Sequence, residues 1–329
     1  MTSKILAAVA AIFLSVSAAA AADFTFKYGN SQPEAAARSQ SMIWFEEQLE
    51  ERSGGRIEVE NFFGAVLGNE KEMFDQVTTG LLQGTRGGFF ANASTKFNIF
   101  LLPFLVSGWD EMECLVRSDF AKSVQASAAE NGYHVPATGI SQGFRMYTNN
   151  VRPIMQVSDL HGLKIREPQT EFMTNVAQAI GSNVTAMAFS DVYSAFQRGT
   201  IDGQHNPPAN IWNYKIYEVQ KYLSVTRHMT GPDPLLVNKE WYDSMPADLQ
   251  QIFDEVSVEA LILSDKLARA AEDELLVALG EHMEVNELTA EGIATFQEAV
   301  QPVYQMGVDN GTYTAEDLEA ARAATMSCG

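Results

Sequence analysis

Strand-like and helix-like patterns alternate along this chain from about residue 25 to its end. That alternation restricts the fold to the α/β class with largely parallel or mixed sheets. Thr25 to Tyr28 reads as a strand, and about Glu34 to Arg52 as a helix with Met42, Phe45 and Leu49 on one face. Gly54-Gly55 stops that helix, and Arg56 to Phe62 alternates as a half-buried strand does. A helix from about Glu70 to Thr79 follows, then an apolar run, Phe100 to Val106, that Pro103 makes a loop or sheet edge. Asp110 to Asn131 reads as one helix and Tyr133 to Ile140 as one strand.

The second block repeats the style. Strands are expected at Leu163 to Arg166 and near Asn183 to Met187, with a helix from about Gln169 to Ile180 between them. Ser190 is placed to cap a helix over Asp191 to Arg198. Tyr222 to Met229 and Leu235 to Val237 have strand composition, and Pro246 to about His282 carries one long helical pattern. Glu291 to Met306 and Ala315 to Met326 are the last helices. No low-complexity linker separates the blocks, so two domains of interleaved segments are expected rather than two consecutive ones.

Met1 to Ala22 is set apart from this pattern. Lys4, the apolar run Ile5 to Val16 and the small residues Ser17 to Ala22 form a cleavable signal peptide, with the mature chain starting near Asp23. The apolar run is too short to cross a bilayer of roughly 30 Å, so a stable membrane anchor is not expected. Removing those 22 residues from 329 leaves 307, enough for two domains. The net charge of −20 argues against nucleic acid as a partner. An anionic ligand therefore needs local positive contacts. An oxidising compartment allows Cys114 and Cys328 to pair, although two lone cysteines do not make a framework. The five histidines are scattered and no glycine motif cradles a phosphate, so neither metal nor cofactor is expected.

The stretch from Gly143 to Pro207 holds the leading site residues. Arg166 closes a short apolar strand, and its guanidinium offers the planar fork that fits a carboxylate. The same position suits a surface ion pair, worth about 0–1 kcal/mol. Asn206, after Asp202-Gly203-Gln204 and before Pro207, reads as part of a turn. Its amide offers both a donor and an acceptor to a bound acid, or else satisfies the turn itself. Arg145, Tyr147, Phe189 and Trp212 share that ambiguity between pocket and packing. Gly139-Ile140-Ser141-Gln142-Gly143 matches the G-x-S-x-G pattern of a serine hydrolase, but that chemistry needs a helix after the serine. Phe144 to Asn149 has strand character instead.

At these residues the sequence resembles the solute-binding proteins of TRAP transporters, the dicarboxylate-binding DctP-type family. The family's D-L-K-G-L-K-I-R appears as Asp159-Leu160-His161-Gly162-Leu163-Lys164-Ile165-Arg166. Its long motif ending D-G-Q-E-N-P is similar to Ala186 to Pro207, with Phe189, Ser190, Asp191, Val192, Tyr193, Gln197 and Gly199 in place. Tyr217 to Tyr222, Gly54 to Ile57, Leu67-Gly68 and Leu102-Pro103-Phe104 match further blocks. The resemblance implies a two-domain periplasmic binding protein (Venus-flytrap) fold in which a long helix is shared. The expected division is 23–142 plus 232–271 for domain I and 143–231 plus 272–329 for domain II. It also implies a periplasmic receptor that captures a small organic acid and delivers it to the transporter's membrane subunits, without catalysis. Arg166 is then the carboxylate-binding arginine and Asn206 its polar partner, with Arg145, Phe189 and Glu70 as further contacts. His161 and His205 depart from the family's lysine and glutamate. Gly87-Gly88 lies where relatives carry ligand-facing side chains, which leaves room for a bulkier solute or lets Arg86 meet a second anionic group. Competing readings are a secreted hydrolase using Ser141 and the ligand-sensing subunit of a signalling receptor.

Overall fold

A computed structural model describes residues 21–326. The signal-peptide expectation rests on residues 1–20, and so lies outside the described residues, as does Cys328. Cys114 is buried and disulfide-bonded.

The first half opens with β1 (Phe24–Gly29), α1 (Ala37–Arg52) and β2 (Ile57–Phe62). β1 and β2 run parallel from Phe24 opposite Ile57, as a strand–helix–strand crossover dictates. Met42, Phe45 and Leu49 bury the face of α1 that their spacing selects. α2 (Glu70–Thr78) starts from a capping box in which Asn69 accepts from the Glu72 backbone N–H and Glu72 accepts from that of Asn69. β3 (Gly84–Thr85) follows. The single helix expected over 110–131 is instead α3 (Trp109–Arg117) and α4 (Asp119–Ser127). Ser118 between them is extended, and its hydroxyl caps α4 by accepting from the Ala121 N–H. The strand expected over 133–140 divides into β4 (Tyr133–His134) and β5 (Thr138–Ile140), with Pro136 between them.

The second half runs β6 (Met146–Asn149), β7 (Lys164–Glu167), α5 (Glu171–Ala179), β8 (Asn183–Ala186) and α6 (Val192–Gln197). Ser190 does not cap α6; it lies inside a 3-10 turn over Phe189–Asp191. β9 (Gly203–Asn206), α7 (Pro208–Asn213), β10 (Tyr222–Val225), β11 (Pro232–Pro234) and β12 (Leu236–Asn238) come next. α8 (Lys239–Asp243) leads into α9, a single helix of 34 residues from Ala247 to Gly280. β13 (Glu284–Glu287), α10 (Ala290–Ala299), α11 (Gln301–Asp309) and α12 (Ala315–Thr325) complete the chain. Pro302, in the first turn of α11, accounts for the division of the helix expected over 291–306.

Two sheets result. The first has the order β2-β1-β3-β12-β4 and the second β13-β10-β6-β9-β7-β8, while β5 and β11 form a separate ribbon. β12 belongs to the first sheet although five strands of the second precede it in sequence, which is the interleaving expected. Phe253 of α9 meets Phe26 of β1 and Phe45 of α1 edge to face, closing the first core. α9 packs on α1 and β5 and also on α7 and β13, so it touches elements of both halves. A division at residue 272 would group α12 with the second sheet; its side chains bury against α3 and α4 instead.

Candidate ligand-binding cleft

A cleft of about 320 Å³ opens between the two sheets. Its second-sheet wall carries Arg166, Arg145, Asn206 and Phe189; its first-sheet wall carries Glu70 and Arg38. Alternation along β7 buries Ile165 on one side and brings Arg166 to the cleft on the other. The Arg166 guanidinium donates through Nε and Nη2 to the Met187 carbonyl at 3.1 and 2.8 Å, and lies 5.2 Å over the Phe189 ring. Arg145, just before β6, donates through Nε to His205 Nδ1 at 3.1 Å and through Nη2 to the His205 carbonyl at 2.6 Å. Neither guanidinium forms a salt bridge among the described residues. Desolvation lowers the affinity of both for their protons, that of Arg166 to about 10. Both remain charged at neutral pH, and two cations without a paired anion, Arg166 buried and Arg145 half-buried, are a costly arrangement. A carboxylate in the cleft relieves that cost.

Asn206 is not in a turn. It ends β9, a buried strand between β6 and β7, and takes part in a chain of amides. Gln32 donates to Asn210 at 3.2 Å, Asn210 to Asn206 at 3.0 Å, and Asn206 to Gln204. Glu70, in the first turn of α2, accepts from the Ser31 hydroxyl at 2.9 Å and the Gly88 N–H at 3.2 Å. The glycines matter here. A Cβ on Gly87 would meet the Glu70 carboxyl carbon at 3.1 Å, so the absence of side chains admits Glu70 rather than a bulkier solute.

Two expected contacts lie elsewhere. Arg86 is fully buried behind the cleft, donating to Asp233 at 2.6 Å, to Ser41 at 3.0 Å and to Ser264 at 3.2 Å. It is held by an internal anion and does not reach the cleft. Trp212 stacks on Tyr217 at 5.0 Å, within the second core. Asn210 and Tyr214, one helical turn apart, line the cleft, and Trp212 midway between them points away. Arg38, Gln32, Asn210 and Tyr214 escaped the sequence reading. For Arg38 a signal exists: it extends the buried stripe Met42, Phe45, Leu49 by one turn, and a charge at such a position needs a reason.

Behind the arginines lies a buried polar relay. His205 Nε2 is 2.9 Å from Glu167, its Nδ1 is 2.9 Å from His228 Nε2, and His228 Nδ1 is 2.8 Å from the Thr226 hydroxyl. Because Arg145 Nε must donate to His205 Nδ1, the neutral His205 carries its proton on Nε2 and donates it to Glu167. Burial holds both imidazoles well below the ordinary histidine value. Desolvation outweighs the two arginines at Glu167 and raises it from 4.5 to about 8. The folded state therefore binds a proton that the unfolded chain releases. The resulting stability is present below pH 4.5 and is lost as pH rises through about 8. Urea titrations from pH 5 to 9 are expected to show a fall in stability that Glu167→Gln largely removes; parallel curves would exclude Glu167 as its source.

Ser141 lies at the rim of the cleft. Gln142 and Gly143 follow with φ of 56° and 109°, and the chain then enters β6, not a helix. Among the described residues no histidine hydrogen-bonds the Ser141 hydroxyl, and no group of three or more His, Cys, Asp or Glu is placed to hold a metal ion.

Two interleaved lobes with a polar cleft between them give the two-domain architecture of the periplasmic-binding-protein fold. The chain belongs to the family described as bacterial extracellular solute-binding protein, family 7 (DctP), whose profile matches residues 29–309. It is 28% identical over 289 residues to the C4-dicarboxylate-binding periplasmic protein DctP of Rhodobacter capsulatus, covering 85% of each chain. It is 32% identical over 259 residues to a solute-binding protein of Verminephrobacter eiseniae, covering 78% of this chain and 76% of that one. A TRAP periplasmic solute-binding protein of a Polaromonas species, solved with D-erythronate, superposes with a TM-score of 0.86 at 26% identity, over 91% of this chain and 98% of that one. The resemblance read from the motifs is thereby borne out, as is the two-domain α/β fold. No described helix is long and apolar enough to cross a membrane.

Proposed function

We propose that this protein is an exported receptor that captures a small organic acid in the interlobe cleft and presents it to the membrane subunits of a TRAP transporter. The observation that carries the reading is the pair Arg145, half-buried, and Arg166, buried, both charged and without a salt bridge, on one wall of that cleft. A ligand carboxylate meets Arg166, with Asn206 and Arg145 completing its shell and Phe189 packing on the ligand's body. Micromolar capture needs about −8 kcal/mol, more than one charge-assisted contact supplies, so the apolar contact is required as well. The Tyr214 hydroxyl donates to the Ser31 carbonyl at 2.7 Å and Gln32 to Asn210 at 3.2 Å, and these contacts tie the lobes together on the loaded side. The lobes move about crossings near 142–143 and 231–232. Solute binding rather than turnover is the activity, and residues 1–22 direct export to the periplasm.

The test is a thermal-shift screen of the unliganded protein against dicarboxylates, 2-oxo acids, sugar acids, aromatic acids and zwitterions. At least one carboxylate at 100 times its Kd is expected to stabilise the fold by about 2.7 kcal/mol. Stabilisation by neutral solutes alone would overturn the reading. In the same screen Ser141→Ala is expected to retain binding, with no ligand consumed by either protein.

A further inference from the structure

The wall facing Arg145 and Arg166 has a hydrogen-bonding pattern that selects among acids, and the geometry points to a hydroxylated monocarboxylate, an aldonate-like acid, as the ligand class. This inference rests on the acid-receptor reading above. Three groups on that wall carry it. Arg38 is 4% exposed; its Nε is committed to Asp233 at 2.9 Å, but its Nη1 has no hydrogen-bond partner. Gln32 is 3% exposed; its Nε2 donates to Asn210, but its Oε1 accepts from nothing. Glu70 is fixed by Ser31 and Gly88, and its Oε1 stands 3.8 Å from Arg38 Nη1, too far for a hydrogen bond. All three residues line the cleft.

One unpaired donor, Arg38 Nη1, and one unpaired acceptor, Gln32 Oε1, thus stand beside a Glu70 carboxylate with capacity for a further hydrogen bond. A hydroxyl oxygen placed about 2.8 Å from both Arg38 Nη1 and Glu70 Oε1 accepts from the first and donates to the second. A neighbouring hydroxyl can serve Gln32 Oε1. A second carboxylate has no proton to donate, so it leaves Gln32 Oε1 unsatisfied and sets a like charge beside Glu70. An ammonium group satisfies the acceptors but faces the Arg38 donor. An aliphatic tail leaves Arg38 Nη1 and Gln32 Oε1 as buried polar atoms without partners. Arg38 and Arg86 are balanced by Asp233 and Glu70, which leaves Arg145 and Arg166, on the opposite wall, as the cations that meet a ligand carboxylate. One carboxylate satisfies that wall, and hydroxyls satisfy the other.

Calorimetry decides it, using the set of four- to six-carbon aldonates alongside succinate, butyrate and 4-aminobutyrate. The expected result is an aldonate binding at least tenfold more tightly than the other three, and Glu70→Gln narrowing the ratio of aldonate to succinate affinity by about tenfold, since one charge-assisted hydrogen bond is lost and a repulsion removed. Succinate, butyrate or 4-aminobutyrate binding as tightly as every aldonate overturns the inference while leaving an acid receptor. No aldonate binding also overturns it. No binding of any carboxylate, in this set or in the wider screen, sinks the receptor reading itself. Thermal unfolding of unliganded Glu70→Gln, expected near that of the parent protein, separates a lost contact from a damaged fold.

Discussion

Asp233→Ala is expected to destabilise the unliganded protein by about 3–5 kcal/mol, the usual consequence of stripping one partner from a buried ion pair. Asp233 Oδ2 accepts from Arg38 Nε at 2.9 Å and from Arg86 Nη2 at 2.6 Å, and neither Asp233 nor Arg86 is exposed at all. Its removal leaves the fully buried Arg86 without a carboxylate and Arg38 with only Glu70, 3.8 Å away. The residues come from α1, from the segment after β3 and from β11, so the cluster joins parts of the chain remote in sequence. Urea unfolding measures the loss. A change below about 0.5 kcal/mol, the range of an ordinary surface substitution, would show that solvent reaches the cluster. Arg86→Ala is expected to destabilise in the same direction, because Arg86 serves the interior and not the ligand.

Arg166→Lys is expected to weaken carboxylate binding by tenfold or more while leaving the unliganded stability nearly unchanged. Lysine keeps the positive charge but lacks the fork that reaches the Met187 carbonyl through two nitrogens while presenting the rest of its edge to the cleft. It also loses the flat stack over Phe189, 5.2 Å from the guanidinium carbon. A long, strongly hydrated ammonium in a site that is 5% exposed has nothing to fix its direction. Unaltered affinity by calorimetry would remove Arg166 from the carboxylate's shell.

The fold was legible because its signals are local. The apolar stripe of α1, the Gly54-Gly55 stop after it and the uninterrupted pattern of α9 each act over a few residues. The breaks were less legible: Ser118 reads equally as a helix interior and as an N-cap, and only tertiary packing chooses. The site divided along the same line. Arg166, Arg145, Asn206, Phe189 and Glu70 line the cleft where motif resemblance put them. Arg86 and Trp212 do not, because partners distant in sequence, Asp233 for one and Tyr217 for the other, claim their side chains. Arg38 and Gln32 belong to segments without a motif, and their importance rests on atoms left without partners, which no spacing reveals.

The 34-residue span of α9 has a mechanical consequence. At about 1.5 Å per residue it is a rod of roughly 51 Å, seated against α1 at one end and against α7 and β13 towards the other. Its only glycine is the terminal Gly280, and it has no internal proline, so nothing along it forms a ready joint. Any change in the angle between the lobes must flex this rod as a whole or slide it over its neighbours. A change in that angle would load it as a leaf spring is loaded, along its whole length.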